Sequence, residues 1–197
     1  MAGKRPPLPE EFYDRDTEIV AREMLGTILE CRTDRGTASG IIVETEAYIG
    51  EDDPACHAAV GRTRRTEPLY GRPGISYVYF IYGVHWCFNA VTRAEGLPSA
   101  VLVRALEPLT GLDLMRERRG PKINGAALTN GPGKLCAALG IDGTMNGLPL
   151  QRGRLVVREG SPVADSDVVI SKRIGITKAA DWPLRYYIRD NLYVSKK

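Results

Sequence analysis

A single compact α+β domain, with a largely antiparallel β-sheet flanked by helices, is what the sequence predicts, and three observations predict it. The chain has 197 residues, 43% of them hydrophobic and 26% charged, which suits one packed domain of ordinary size. Period-two alternation at 40–49, 76–82, 84–91 and 99–106 marks four strands, the middle two joined around Tyr82-Gly83 as a hairpin or tight reversal. Helix signals fall at 16–25, 109–119 and 132–139, and no internal repeat or low-complexity linker divides the chain.

The chain opens on MAGKRPPLPEEF, a polar, proline-rich stretch expected to leave residues 1–7 as a flexible arm ahead of one domain over 8–197. In 16–25, Asp16 is placed to cap a helix; Ala21, Met24, Leu25 and Ile28 fall near one face, and Gly26 is placed to stop it. GIIVETEAYI at 40–49 reads as a strand, and SAVLVRAL at 99–106 as a buried one. A helix is expected over 109–119. Another, over 132–139, is opened by Asn130 and Pro132 and closed by Gly140. Residues 142–170 read as short strands with glycine turns, among them GRLVVREG.

Charge and motif content remove several classes of function. Lys plus Arg number 27 against 24 Asp plus Glu, and the net +3 permits a nucleic-acid partner without requiring one. Cys31, Cys56, Cys87 and Cys136 stand 25, 31 and 49 residues apart, and the only histidines are His57 and His85, so no zinc-ligand spacing exists and no metal is expected. Scattered thiols suit a reducing compartment: cytoplasm and nucleoid, or the nucleus of a eukaryote. No stretch resembles a signal peptide, and no run approaches the ~20 apolar residues that cross a membrane. GPGK at 131–134 resembles a phosphate loop, but Leu128 stands where that motif's first glycine belongs. GxSxG and GxGxxG are both absent, so nucleotide-driven and serine-hydrolase chemistry lack support.

The candidate chemistry lies on the strands. Alternation puts Ile41, Val43, Thr45, Ala47 and Ile49 on one face of 41–49, and Glu44, Glu46 and Tyr48 on the other. Glu51, Asp52, Asp53 and then His57 follow. A carboxylate beside an aromatic and near a histidine suits a general base with a stacking platform, although a solvated strand face accounts for the same pattern. Arg104 shares a face with Ala100, Leu102 and Leu106, and an arginine on an apolar strand needs a charged partner; Glu44 and Glu46 are candidates. Six of the 14 aromatic residues fall within 77–88, with Tyr82 at the hairpin tip, where it can wedge into a base stack or close the edge of a core. GRTRRTEPLYGRPG at 61–74 carries Arg62, Arg64, Arg65 and Arg72 against Glu67, which suits a loop on phosphates or a solvated loop. Arg185, Arg189, Lys196 and Lys197 form either a second basic patch or a solvated end.

VETEAYIG (43–50), His57, YVYFIYGVHWCFN (77–89), VLVRALEP (101–108) and LTNGPGKLCAALGI (128–141), together with LPEEFYDRDTEIVAREMLG (8–26) and SKRIGITKAADWPLRYYI (171–188), resemble the alkyladenine, or 3-methyladenine, DNA glycosylases over about residues 8–193. The resemblance implies one α+β domain with a curved antiparallel sheet and a protruding hairpin that enters the minor groove. It implies that Glu46 is the general base activating water, with Arg104 holding that water and the local phosphate. Tyr48 and Tyr79 would stack on a flipped base, His57 would hydrogen-bond it, and Asn89 would gate against an extra amino group. Tyr82 would fill the gap in the duplex. The implied partner is double-stranded DNA containing damaged purines, acted on by a monomer without cofactor or metal. Two positions depart from the family pattern: Arg64-Arg65-Thr66 replaces a Pro-Arg-Asn run, and His85 replaces an aromatic. The competing readings are a non-catalytic binder of damaged or distorted DNA and a hydrolase of free nucleosides.

Overall fold

In the computed structural model, which describes residues 5–196, helices α1 (Glu10–Tyr13) and α2 (Thr17–Glu23) lead into strands β1 (Ile28–Thr33) and β2 (Gly36–Tyr48). The hairpin of β3 (Ser76–Ile81) and β4 (His85–Thr92) is followed by β5 (Ser99–Thr110), then by helices α3 (Leu112–Arg119) and α4 (Pro132–Leu139). Strands β6 (Leu155–Arg158), β7 (Val168–Ser171) and β8 (Arg185–Ile188) complete one antiparallel sheet. Its order is β3-β4-β5-β2-β1-β6, with β8 added beside β2 and β7 beside β8. The 13-residue β2 is the backbone of this arrangement: β5 pairs along one edge, while β1 and β8 take successive stretches of the other.

The two faces of the sheet are buried differently. Helices cover one: Val20 and Met24 of the α2 region, Met115 of α3 and Leu135 and Leu139 of α4 pack with Phe88, Val101, Val103 and Leu106 in one cluster. Each such side chain contributes about 1.5–3 kcal/mol through burial. The other face carries a smaller cluster, in which Tyr77, Val91 and Ala100 lie under Cys56, Leu69 and Tyr70 from the loops after β2. Alternation along β3 serves both, since Val78 enters the main core and Tyr77 the small one.

Paired irregularities between β2 and β5 change which face each side chain meets. Ile42 pairs with Leu106, Glu44 with Ala105 and Thr45 with Val103, so Val43 and Arg104 are extra residues at offset bulges. The phase of both strands flips there. Ile42 and Leu106 face the helices, whereas the expected grouping put Ile41 and Val43 on the core face and set Leu106 beside Arg104. Beyond the bulges the expected faces hold: Thr45 donates to the Ala21 carbonyl and Ala47 joins the helix-side core.

Other boundaries move for local reasons. The first long helix ends at Glu23, and Ile28 belongs to β1, a strand the patterning did not indicate. Gly26 lies between them at φ +83°, and a Cβ there would fall 2.2 Å from the Ser161 carbonyl oxygen, so only glycine fits. The helix expected from 109 begins at Leu112, because β5 runs to Thr110 and Gly111 turns the chain. Helix α4 matches its expected span and ends at Gly140 in the left-handed region (φ 75°). The stretch 5–7 is not a loose arm: Arg158 donates to the Arg5 carbonyl, Glu159 N–H to that of Pro6, and Pro7 bridges to Arg158. Residues 1–4 of the expected arm, and Lys197, lie outside the described residues.

Candidate active site

The loop-covered face of the sheet holds a cavity of about 440 Å³. Alternation delivers its lining, since Tyr77 and Tyr79 of β3, Cys87 and Asn89 of β4, and Leu102 and Arg104 of β5 all project to this side. Tyr48 at the end of β2, His57 from the following loop, and Tyr82 at the hairpin tip complete the aromatic wall. The structure thus brings every sequence-predicted base-pocket residue to one cavity, with Arg104 among them. Sequence patterning missed two further contributors. Gly131–Lys134 at the start of α4 and Ile174–Ile176 before β8 also line it. The segment that falls short of a phosphate loop at Leu128 is therefore part of the cavity rim.

Glu46 sits behind this lining, with no exposed surface. One carboxylate oxygen accepts the Ile174 backbone N–H at 2.7 Å. The other accepts the Tyr48 hydroxyl at 2.9 Å and the Arg104 guanidinium at 3.2 Å. Burial raises the carboxyl above its ordinary range, while Arg104, the Ile174 amide and Tyr48 pull it back and Glu44 pushes it up. Arg104 is shared, because its Nε lies 3.4 Å from Glu44. Glu44 is itself held by Arg185 at 2.7 Å and by the backbone and side chain of Ser195.

His57 accepts or donates at Nδ1 to the Tyr77 hydroxyl, 2.9 Å away, and its ring packs edge-on against Tyr79 at 4.5 Å between centroids. The nearby Arg65 guanidinium acts on the Tyr77 hydroxyl electrostatically and offsets part of the effect of its burial. Burial, with help from Arg65, lowers the His57 pKa to about 4. Asn89 is buried, and its amide N–H2 donates to the Tyr77 carbonyl at 3.0 Å, which sets its orientation.

The His57 shift has a consequence for stability. The unfolded chain takes up this proton near pH 6.5 and the folded chain near pH 4, so the contribution is complete above 6.5 and is lost as pH falls toward 4. His57→Gln is expected to flatten that part of a denaturation-versus-pH curve. An unchanged slope between pH 6.5 and 4 would refute it.

The charged groups outside the pocket are used less uniformly than the sequence suggested. Arg62 is paired with Glu67 at 2.7 Å, and Arg72 with Glu10 at 2.9 Å. Arg65 stacks over Tyr79 at 5.5 Å, and Arg64 and Arg65 border a shallow second hollow beside Phe80 and Trp86. Arg185 is buried against Glu44, so it belongs to no surface patch. Asp53 is likewise internal, bonded to Arg173, and Glu51 accepts the Tyr70 hydroxyl. The carboxylates of 44–53 are thus mostly neutralised by fixed partners instead of forming an acidic field.

Among the described residues no three His, Cys, Asp or Glu side chains come together to hold a metal ion, and no helix is long and apolar enough to cross a membrane. A carboxylate braced behind an aromatic slot is an arrangement that can activate water beside a flat-ringed group. The comparisons supply the class. The family model for methylpurine-DNA glycosylases (MPG) matches residues 11–192. A protein of Carboxydothermus hydrogenoformans named "Putative 3-methyladenine DNA glycosylase" is 48% identical over 191 residues, covering 96% of this chain and 99% of its own. Proteins of the same name from Desulfitobacterium hafniense and Methanoculleus marisnigri are each 49% identical, covering 96% of this chain and 98% and 99% of theirs. The chain belongs to the methylpurine-DNA glycosylase family, and is a hydrolase of DNA repair.

Proposed function

We propose that the chain removes alkylated or deaminated purines from duplex DNA by flipping the nucleotide into the cavity and hydrolysing its N-glycosidic bond. The substrates are of the 3-methyladenine, 7-methylguanine, hypoxanthine and ethenoadenine class, and the product is an abasic site. The observation that carries this is the buried Glu46 carboxylate, bonded to Tyr48 and Arg104, two residues that also line the aromatic cavity.

Unstacking a base costs a few kcal/mol, least where pairing is already weakened, so extrusion itself favours lesions. A ring-alkylated purine is cationic, and the faces of Tyr48 and Tyr79 attract it by ~0.5–2 kcal/mol per contact. Neutral His57 can hydrogen-bond the base without opposing that charge. Asn89, its amide fixed on the Tyr77 carbonyl, stands against bases bearing an extra amino group. In the chemical step a water oxygen bonds to the sugar C1′ as the C1′–N bond breaks. The bonding pair leaves with the base, neutralising it if cationic, and the water proton passes to Glu46. The monomer needs no metal for these steps. Base release unchanged by EDTA is the expected result, and its loss would overturn metal independence.

Lys134 reaches the cavity rim, where its ammonium donates to the Asn130 side chain. We assign it no covalent role. Borohydride added during turnover is expected to trap no protein–DNA adduct, and base release should occur without strand cleavage; a trapped adduct would reveal lyase chemistry.

Phosphate contacts are best supported at Arg64 and Arg65, because Arg62 and Arg72 already carry carboxylate partners. Arg64→Ala should lower affinity for any duplex and reduce the log–log salt slope by about 0.9, whereas Arg72→Ala should leave the slope in place. Equal slopes for wild type and Arg64→Ala would remove Arg64 from the interface. The cytoplasm or nucleoid is the compartment such a repair enzyme requires, or the nucleus in a eukaryote.

A further inference from the structure

We infer that Arg173, clamped on Asp53, is a positioning residue that holds the base Glu46 and the platform Tyr48 in place. This inference rests on the proposed role of Glu46. The Arg173 side chain is fully buried and does not line the cavity. Its guanidinium makes four kinds of contact. It grips both oxygens of Asp53, at 2.5 and 2.8 Å. It donates to the Ala47 carbonyl at 3.0 Å, on the backbone between Glu46 and Tyr48. It lies over the Tyr48 ring, 4.7 Å from the centroid, and it faces Trp182 at 6.0 Å. Because Tyr48 borders the cavity and Arg173 does not, Arg173 backs this platform from behind.

Asp53 in turn accepts the Ile49 and Ala55 amides, so it shapes the loop that leads to His57. On the other side of the clamp, the residue after Arg173 is Ile174, whose N–H holds one oxygen of Glu46. One buried ion pair therefore joins three separate pieces of the site: the end of β2, the 49–57 loop and the segment that enters the cavity at Ile174–Ile176. Asp53 and Arg173 are 120 residues apart, and only the fold brings them together. The pair has no contact with the cavity, which makes its action indirect. Breaking a buried pair leaves an uncompensated charge, so some loss of stability is expected of any variant and does not by itself argue for positioning.

The discriminating readout is the acid limb of the pH–rate profile. Glu46 must be ionised to take a proton, so the rate falls as pH drops through its pKa. The charged or titratable groups around it are Tyr48 and Glu44 on β2, Arg104 on β5, Tyr79 on β3 and Arg173 itself, with the Ile174 amide as the neutral donor. Removing Arg173 withdraws a nearby cation and loosens the Ile174 N–H. Both changes disfavour the carboxylate, so the limb should move to higher pH.

The test measures single-turnover release of hypoxanthine from a duplex across pH for wild type, Arg173→Met, Asp53→Asn and Arg173→Lys, with folding checked by circular dichroism. Arg173→Met is expected to move the limb up by about one pH unit, roughly a tenfold loss of rate below the limb. Asp53→Asn, which keeps the cation and releases only its clamp, should lower the rate above the limb without moving the limb up. Arg173→Lys, which keeps the charge, should restore most of the Arg173→Met loss. A limb unmoved in folded Arg173→Met overturns the inference, and so does a wild-type rate in folded Asp53→Asn or a limb moved equally by Lys and Met. If Arg173→Met does not fold, the rate of Asp53→Asn above the limb decides, and a wild-type rate there overturns the inference. Glu46→Gln in the same assay separates the two levels. Activity retained there removes the proposed function, whereas an inactive Glu46→Gln with an unmoved Arg173→Met limb or a wild-type Asp53→Asn rate removes only the role of Arg173.

Discussion

Glu46→Gln is expected to slow base release from a lesion duplex by roughly 10²–10⁴-fold while leaving duplex affinity near that of wild type. The physical basis is that the substitution removes the proposed proton acceptor and costs one further contact, because the new amide N–H2 faces the Arg104 guanidinium and cannot accept from it. Glutamine has the same shape, and its carbonyl can still accept the Ile174 amide. Arg104 keeps Glu44 as an ionic partner, so the substitution does not strand a buried cation. Glu46 has no exposed surface, so it contributes nothing directly to a DNA face. Single-turnover release of free base, paired with a binding isotherm on the same duplex, checks both halves. A variant that excises at the wild-type rate would remove Glu46 as the base, and one that loses binding and excision together would make it structural. The rate of the wild type should fall as pH drops, with a midpoint above the ordinary carboxylate value of about 4.5, since burial raises this group.

Tyr82→Ala carries the second large effect. Tyr82 is 81% exposed at the three-residue tip between β3 and β4, and it adopts φ +55° beside Gly83 at φ +67°. Its side chain belongs to neither buried cluster, so the fold has little stake in it. If Tyr82 fills the space left by a flipped nucleotide, its removal forfeits base–aromatic stacking worth ~1–3 kcal/mol, or about 5–150-fold in excision from a duplex. Release from a single-stranded lesion, where no stack must be opened, should change much less. Equal losses on the two substrates would show that Tyr82 shapes the pocket instead of opening the helix. An unaffected duplex rate would sink the wedge altogether. Phe80, 46% exposed on β3 two residues before Tyr82, packs on Trp86 at 4.7 Å and supports the hairpin beneath the tip.

Much of this site was legible because its residues sit on regular strands. Alternation alone put Glu46 and Tyr48 on one face, isolated Tyr82 beside a turn glycine and required a carboxylate for Arg104. The structure supplies both candidates, Glu44 and Glu46. The split roles of those two were not legible, since Glu44 turns to Arg185 and Ser195 from the far end of the chain. The pairing inside the arginine loop was illegible for a similar reason. A count of cations cannot reveal that Glu10 lies beside Arg72.

What the sequence determined by itself was local: the α+β class, the hairpin and its tip, helix α4 with its glycine stop, and the run of motifs that marks the family. These depend on side-chain period, on backbone freedom at glycine and on residue identity, all of which act over a few positions. What only the tertiary structure decided was long-range. The offset bulges at Val43 and Arg104 reverse the facing of Ile42 and Leu106, because one extra residue per strand shifts a period of two by a full face. The Arg173–Asp53 pair and the Ile174 amide on Glu46 join segments more than a hundred residues apart. No periodicity encodes such contacts. They follow from burial, which obliges each charge taken out of water to find a partner wherever the fold has placed one.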